Sequence, residues 1–145
     1  MHKHSIYVAV ASIFIVARAA AAEEVQFQVI VHPTVTVTDM KATELAKIFL
    51  GQVSRWPDGT RAYPVDLSVA NPGRRMFSSS VLKAEVNSVK RYWYQQVFSG
   101  RGTPPPEKGS TADVVAFVAN TPGAVGYVAR DTNIPGCKAL PVTFD

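Results

Sequence analysis

The residues best suited to chemistry lie in the segment 68–75, which reads Ser-Val-Ala-Asn-Pro-Gly-Arg-Arg and follows a predicted strand. Asn71 followed by a proline is typical of the N-cap and first residue of a helix. Free backbone N–H groups at a helix start favour an anion, and α/β proteins bind ligands beyond the carboxyl ends of their strands. The segment therefore predicts an oxyanion site with Arg74 as the main side-chain contact and Gly73 as the backbone donor. Asn71 and Ser68 are weaker contacts of the same site.

The neighbouring arginines Arg74 and Arg75 have a second interpretation. Cations are unfavourable in the first turn of a helix, so the two side chains are expected to be solvated or to pair with a nearby acid. A bound anion would relieve the same conflict, because a guanidinium can hold a phosphate or carboxylate through two hydrogen bonds. Both interpretations stay open on the sequence.

Arg101 is a further candidate contact for the anion. It stands between Gly100 and Gly102, and glycines in such a position can expose several backbone N–H groups. The alternative is a helix C-cap that leads into a rigid exit, because three consecutive prolines follow at 104–106. The sequence favours this alternative.

Catalytic and metal-binding patterns are missing from the sequence. Beyond the first 22 residues the chain has one histidine, His32, and one cysteine, Cys137, far apart in sequence. The usual motifs of zinc proteases, dithiol sites, serine hydrolases and P-loops do not occur. We therefore expect a protein that is not an enzyme and that uses neither a metal nor a cofactor. His32 is interpreted as a polar residue at a strand end.

The segment 1–22 has the composition of a cleaved secretory signal. Lys3 precedes an uncharged apolar stretch at 6–17, and a run of small residues of the Ala-x-Ala type ends before Glu23. A membrane anchor is the alternative, but a span needs about 20 apolar residues and Arg18 interrupts this one. We expect cleavage near Ala22, and a soluble mature protein in the periplasm.

The charge and length of the remaining chain exclude several classes of protein. Residues 23–145 form one domain of 123 residues, with 13 Lys and Arg against 11 Asp and Glu. The resulting charge of +2 is too small for a nucleic-acid surface, although the full sequence has a net charge of +4. One cysteine cannot support a disulfide scaffold.

Hydrophobic periodicity and turn residues predict four strands and four helices in the order β-α-β-α-α-α-β-β. The apolar residues Met40, Leu45, Ile48 and Phe49 have helical spacing, which predicts a helix from Met40 that ends at Gly51. The other predicted elements are strands at 25–31, 63–69, 124–129 and 138–144, helices at 72–83, 89–98 and 110–120, and a proline-rich loop at 100–109. This alternation predicts an α/β fold with a mixed sheet flanked by helices.

Three blocks of the sequence resemble the phosphate-binding components of ABC importers. The first is Leu-Ala-Lys-Ile-Phe-Leu-Gly at 45–51 with Arg-Trp-Pro-Asp-Gly at 55–59, similar to the family's L-x-x-I-F-x-G…W block. The second is Phe-Ser-Gly-Arg-Gly at 98–102, and the third is Pro-Gly-Ala-Val-Gly-Tyr-Val at 122–128, similar to P-G-A-I-G-Y-V. The blocks keep the family's order and are most similar to a short subgroup of about this chain's size.

The resemblance implies a single lobe of a type II periplasmic-binding-protein-like fold over 23–145, exported to the periplasm and binding phosphate or a similar oxyanion. Full-length members of the family have two lobes with the ligand between them and carry a phosphate-cradling Ser-Gly-Thr segment. Here Asn-Pro-Gly-Arg stands in its place at 71–74. Arg74, three residues before Phe77, matches an Arg-x-x-Phe pattern of the short subgroup.

Two functions follow as hypotheses. In the first, the protein binds phosphate or another small oxyanion, as part of an ABC-type import system with an inner-membrane ABC permease. In the second, it keeps the fold without ligand binding and serves as a protein-interaction module of the envelope, docking on another envelope protein or as a homodimer. Neither hypothesis involves nucleic acid.

Overall fold

The computed structural model describes residues 26–144, so the predicted signal segment lies outside the described residues. Six of the eight strands in the described part of the chain have only two residues each. The strands are β1 (Phe27–Val31), β2 (Met40–Lys41), β3 (Tyr63–Pro64), β4 (Asp66–Leu67), β5 (Glu107–Lys108), β6 (Ala124–Ala129), β7 (Lys138–Ala139) and β8 (Val142–Thr143). The helices are α1 (Ala42–Phe49), α2 (Pro72–Phe77), α3 (Val86–Phe98) and α4 (Thr111–Asn120), and a π-helical turn, Ser78–Leu82, continues α2. None of the helices in this part of the chain is long and apolar enough to cross a membrane.

A four-stranded mixed sheet forms the centre of the fold, with the strand order β3-β6-β1-β7. β1 pairs antiparallel with β6 from Phe27 opposite Ala129 to Val31 opposite Val125, and β3 runs parallel to β6. Two small parallel sheets, β2 with β8 and β4 with β5, flank it. The predicted α/β fold with a mixed sheet is therefore confirmed.

Helices cover the central strands, so these strands carry more apolar residues than an alternating pattern provides. In β1 the residues Val29, Ile30 and Val31 are all buried, although Ile30 faces the side opposite to its neighbours. In β6 only Ala129 is exposed. Such continuous burial is typical of a strand with both faces covered.

Aromatic side chains join the helices to the sheet. The rings of Phe77 from α2 and Tyr127 from β6 stack with centroids 3.9 Å apart, and Phe49 of α1 lies 4.6 Å from Phe77. Trp56 is buried and its indole Nε1 donates to the Gly123 carbonyl oxygen at 2.9 Å. Two of the sequence blocks that carried the resemblance therefore meet in the core.

Two predicted boundaries are wrong because tertiary pairing overrides local periodicity. Met40 belongs to β2, where it pairs with Val142, so the first helix starts at Ala42. The predicted strand 63–69 divides around Val65, because its first part pairs with β6 and its second part with β5.

The proline-rich segment also differs from its prediction as a loop, since it contains β5. The Pro106 carbonyl oxygen accepts from Asp66 N, and Lys108 O accepts from Ser68 N. A proline lacks an N–H but keeps its acceptor, so the run can precede a strand. The last predicted strand, 138–144, likewise divides into β7 and β8 on either side of Leu140 and Pro141.

We predict that Gly126→Ala destabilises the protein by about 1–3 kcal/mol through overpacking. A Cβ at this position in β6 would lie 2.7 Å from Val114 Cγ1 and 2.9 Å from Val65 Cγ1, and both valines are fully buried. Urea unfolding measures the change. Gly109→Ala is the matched control, because no described neighbouring atom lies within 4 Å of its Cβ. Equal free energies of unfolding for the two variants would contradict the prediction.

Candidate functional site

A buried cluster of charged residues joins β4, α2 and β5. Arg74 is 3% exposed and Asp66 is 4% exposed. The Arg74 Nη1 donates to Leu67 O at 2.9 Å and to Glu107 Oε1 at 3.2 Å, and it lies 3.7 Å from Asp66 Oδ2. A charge can be buried when it is paired and hydrogen-bonded in this way.

Tyr127 completes the cluster from β6. Its hydroxyl donates to Asp66 Oδ1 at 2.8 Å and accepts from Leu67 N at 3.2 Å. Burial raises the pKa of Asp66 from 3.8 to about 6, against the opposing effects of Arg74 and the Tyr127 hydroxyl. Burial, and then the Asp66 charge, also raise the pKa of Tyr127, so the phenol keeps its proton and remains a donor.

The structure brings four of the predicted contacts together in the turn that leads into α2. Asn71 is the N-cap, and its Oδ1 accepts from Gly73 N at 3.0 Å. Ser68 O accepts from Asn71 N, and Ser68 N donates to Lys108 O. The Gly73 N–H and the Arg74 Nη1 are therefore already hydrogen-bonded to acceptors of the protein itself.

The fifth predicted contact, Arg101, is exposed and follows the end of α3. Its backbone N–H donates to Gln96 O, and Gly100 has φ +70° with its N–H bonded to Val97 O. This geometry is a helix C-cap, as the alternative interpretation of the segment predicted.

Arg74 also borders a groove of about 570 Å³ on one side of α3. Its Nε is buried, with no hydrogen-bond partner among the described residues. We call this the α3 groove. Besides Arg74, it is lined by Lys90, Trp93, Tyr94, Val97, Phe98, Pro104 and Glu107.

A second cavity, of about 810 Å³, lies between α2 and the start of α3. Val69, two residues beyond β4, contributes to its wall. We call it the α2–α3 cavity, and its polar lining consists of Arg75, Ser79, Lys83, Glu85 and Asn87.

Sequence reasoning missed Ser79 and Lys83 as members of a site with Arg75. The three residues follow one another at intervals of four, which places them near one face of a helix. The π-helical turn Ser78–Leu82 widens the helix locally, and Lys83 ends it in the left-handed conformation at φ 53°. The four-residue spacing of Arg75, Ser79 and Lys83 was the sequence signal that could have identified them as one group.

Within residues 26–144, no group of three or more His, Cys, Asp or Glu side chains could hold a metal ion.

The backbone resembles solved phosphate-transport proteins. An ABC-type phosphate transport receptor from Vibrio cholerae matches with a TM-score of 0.64 and 16% identity, over 81% of this chain and 46% of that one. A putative phosphate ABC transporter substrate-binding protein with bound phosphate from Clostridium perfringens matches with a TM-score of 0.61 and 15% identity, over 81% of this chain and 44% of that one. PstS from Borrelia burgdorferi matches with a TM-score of 0.63 and 14% identity, over 81% of this chain and 47% of that one. No protein-family model and no curated protein matches the sequence.

These comparisons confirm the predicted fold, because the chain resembles one lobe of these solved structures at the level of the backbone. The chain spans slightly less than half the length of each of the three proteins. At these identities the comparisons show the fold, and the expectation of a non-enzyme stays a prediction.

We predict that Asp66 makes the protein less stable as the pH rises from 4 to 7. Its pKa is about 6 in the folded state and 3.8 ordinarily, so the folded state binds this proton more tightly. The stabilisation of the folded state by this bound proton is complete below pH about 4 and is lost by pH about 7. Its loss lowers the free energy of unfolding by about 2–3 kcal/mol. The test is urea unfolding at both pH values, in which Asp66→Asn should remove this part of the pH dependence.

The control for this prediction is Asp131→Asn, which changes an exposed carboxylate. This variant should follow the wild-type pH dependence. If Asp66→Asn shows the same difference between pH 4 and pH 7 as the wild type, Asp66 does not titrate as described.

Proposed function

We propose that this protein binds phosphate or a similar small oxyanion in the α2–α3 cavity. The observation that carries the proposal is that Arg75 and Lys83, both exposed, line the same cavity. The fold supports it, since structures with this fold include a phosphate transport receptor and a substrate-binding protein with bound phosphate.

The chemistry of the lining suits an anion. Arg75 offers a planar fork of donors, Lys83 a point charge, and Ser79 a hydroxyl donor. Glu85 is the one acid in the lining, so two cations face one carboxylate. The first turn of α3 adds the positive end of a 13-residue helix.

Arg74 has a different role in this proposal. Its Nη1 is bonded to Leu67 O and Glu107 and lies close to Asp66, so its charge is offset by two carboxylates. We assign Arg74 to holding α2 against β4 and β5, which places the adjacent Arg75 at the cavity. Direct contacts of an oxyanion with Arg74, Gly73, Asn71, Ser68 or Arg101 are the untested alternative to the cavity, and the two assignments predict different results in the experiment below.

We further propose that the protein acts in the periplasm and delivers its ligand to an ABC permease. The support comes from the related structures, which are described as a phosphate transport receptor and as ABC transporter substrate-binding proteins. The α2–α3 cavity is open, so much of the ligand stays hydrated and binding is expected to be weak, with a Kd of about 1 mM.

We predict that phosphate binds the full-length protein and that the double variant Arg75→Ala/Lys83→Ala weakens this binding at least tenfold, which corresponds to about 1.4 kcal/mol. Both cations are exposed, so their removal should leave the melting temperature nearly unchanged. Isothermal titration calorimetry with phosphate and with sulfate measures the affinity.

Arg101→Ala is the matched control, because it removes an exposed cation outside this cavity. It should bind phosphate like the wild type. Undiminished binding by the double variant would overturn the cavity assignment, and loss of binding in Arg101→Ala would favour the segment 99–103 instead. Absence of binding by the wild type at millimolar phosphate would overturn the function itself.

A further inference from the structure

We infer that the α3 groove is the docking surface for a second copy of this chain, related to the first by a two-fold axis. The groove runs along α3 from Lys90 to Phe98 and is separate from the α2–α3 cavity, which shares none of its lining residues. The inference goes beyond the proposed function and does not depend on it.

The first observation is the exposure of large apolar side chains on one stretch of helix. Phe98 is 96% exposed, Tyr94 is 70% exposed and Val97 is 52% exposed. Phe98 and Val97 follow Tyr94 by four and three residues, so the three side chains lie on neighbouring parts of one helix face. A contiguous apolar patch of this kind on a soluble domain marks an interaction surface.

The second observation is the charge pattern of the same groove. Its exposed charged residues are one cation, Lys90, and one anion, Glu107. In a two-fold interface the same patch meets itself, so residue i of one copy contacts residue j of the other and the reverse. Lys90 of each copy can therefore pair with Glu107 of the other, and the patch is complementary to itself.

The position of Glu107 is fixed before a partner arrives. Its Oε1 lies 3.2 Å from the Nη1 of Arg74, and Arg74 is itself held by Leu67 O and Asp66. The side chain of Glu107 is nevertheless 49% exposed, so the carboxylate can still accept from a second cation. An acceptor held in place loses little side-chain freedom on binding.

A membrane surface is the main competing occupant, since Phe98 and Tyr94 could insert into a bilayer. Binding to anionic lipid is strengthened by an excess of cations beside the apolar residues. Here Glu107 offsets Lys90, so the charges favour the second copy.

The first experiment is sedimentation equilibrium of the full-length protein from about 1 μM to about 1 mM, because interfaces of this kind are weak and transient. We expect a monomer–dimer equilibrium. Phe98→Ser and Val97→Ser should each raise the dimer Kd about tenfold or more. Val53→Ser is the matched control, since Val53 is 38% exposed and lies outside the groove, and it should leave the dimer Kd unchanged.

The second experiment tests the two-fold pairing with reversed charges. Lys90→Glu and Glu107→Lys should each weaken self-association, because each variant places like charges opposite one another. An equimolar mixture of the two variants should form a heterodimer as tightly as the wild type associates, since both pairs are then opposite in sign. Should Glu107→Lys unfold because a lysine replaces the partner of Arg74, Glu107→Gln keeps an acceptor for Arg74 and removes the charge, so it should weaken self-association as Lys90→Glu does.

A protein that stays monomeric up to about 1 mM, or that loses its dimer equally in Val53→Ser, would overturn the inference. So would a monomer that floats with vesicles of anionic phospholipid and is released by Phe98→Ser. Failure of the mixture to restore association with both variants folded, or an unchanged dimer Kd in both Lys90→Glu and Glu107→Gln, would overturn the two-fold pairing. None of these results bears on phosphate binding, which calorimetry measures at the α2–α3 cavity.

Discussion

The arrangement of this fold depends on one guanidinium group. Arg74 extends from α2 and joins the main chain at Leu67 to the carboxylates of Asp66 and Glu107. These partners belong to β4 and β5, which are far apart in sequence and form a separate two-stranded sheet. A buried arginine has to find such partners, because an unpaired charge in the interior costs several kcal/mol. The position of α2 on the sheet follows from this requirement.

Residues around Arg74 have contacts that fit this position of α2. Tyr127 donates to Asp66 while its ring stacks on Phe77, so one residue of β6 contacts both the polar cluster and the apolar core. With Arg74 directed inwards, its neighbour Arg75 lies on another side of the helix and lines the α2–α3 cavity. Glu107 extends from the other side of the cluster to the α3 groove. The buried ion pairs therefore orient residues of two separate surfaces.

Local sequence signals were sufficient to predict most helices and strands of the fold. Asn71 caps α2 as the Asn-Pro pair indicates, Ser110 caps α4, and the apolar alternation near Val29 marks β1. The blocks at 45–59 and 122–128 also identified the fold, and Trp56 and Gly123 of those blocks form a hydrogen bond. These features depend on neighbours a few residues away, or on a motif whose residue types are specific enough to be recognised.

Short strands and the direction of charged side chains were decided by tertiary structure. β2, β4 and β5 have two residues each, and they exist because a distant segment supplies the hydrogen-bond partners. The sequence singles out Arg74 by its spacing from Phe77, but it does not show which of Arg74 and Arg75 is buried. Which of the two is buried depends on Asp66 and Glu107, and the latter comes near only when the prolines before it lead β5 to β4. The residues alone determine a helix start rich in cations. Only the packed chain determines which cation is buried among carboxylates and which stays exposed, because the carboxylates come from distant segments.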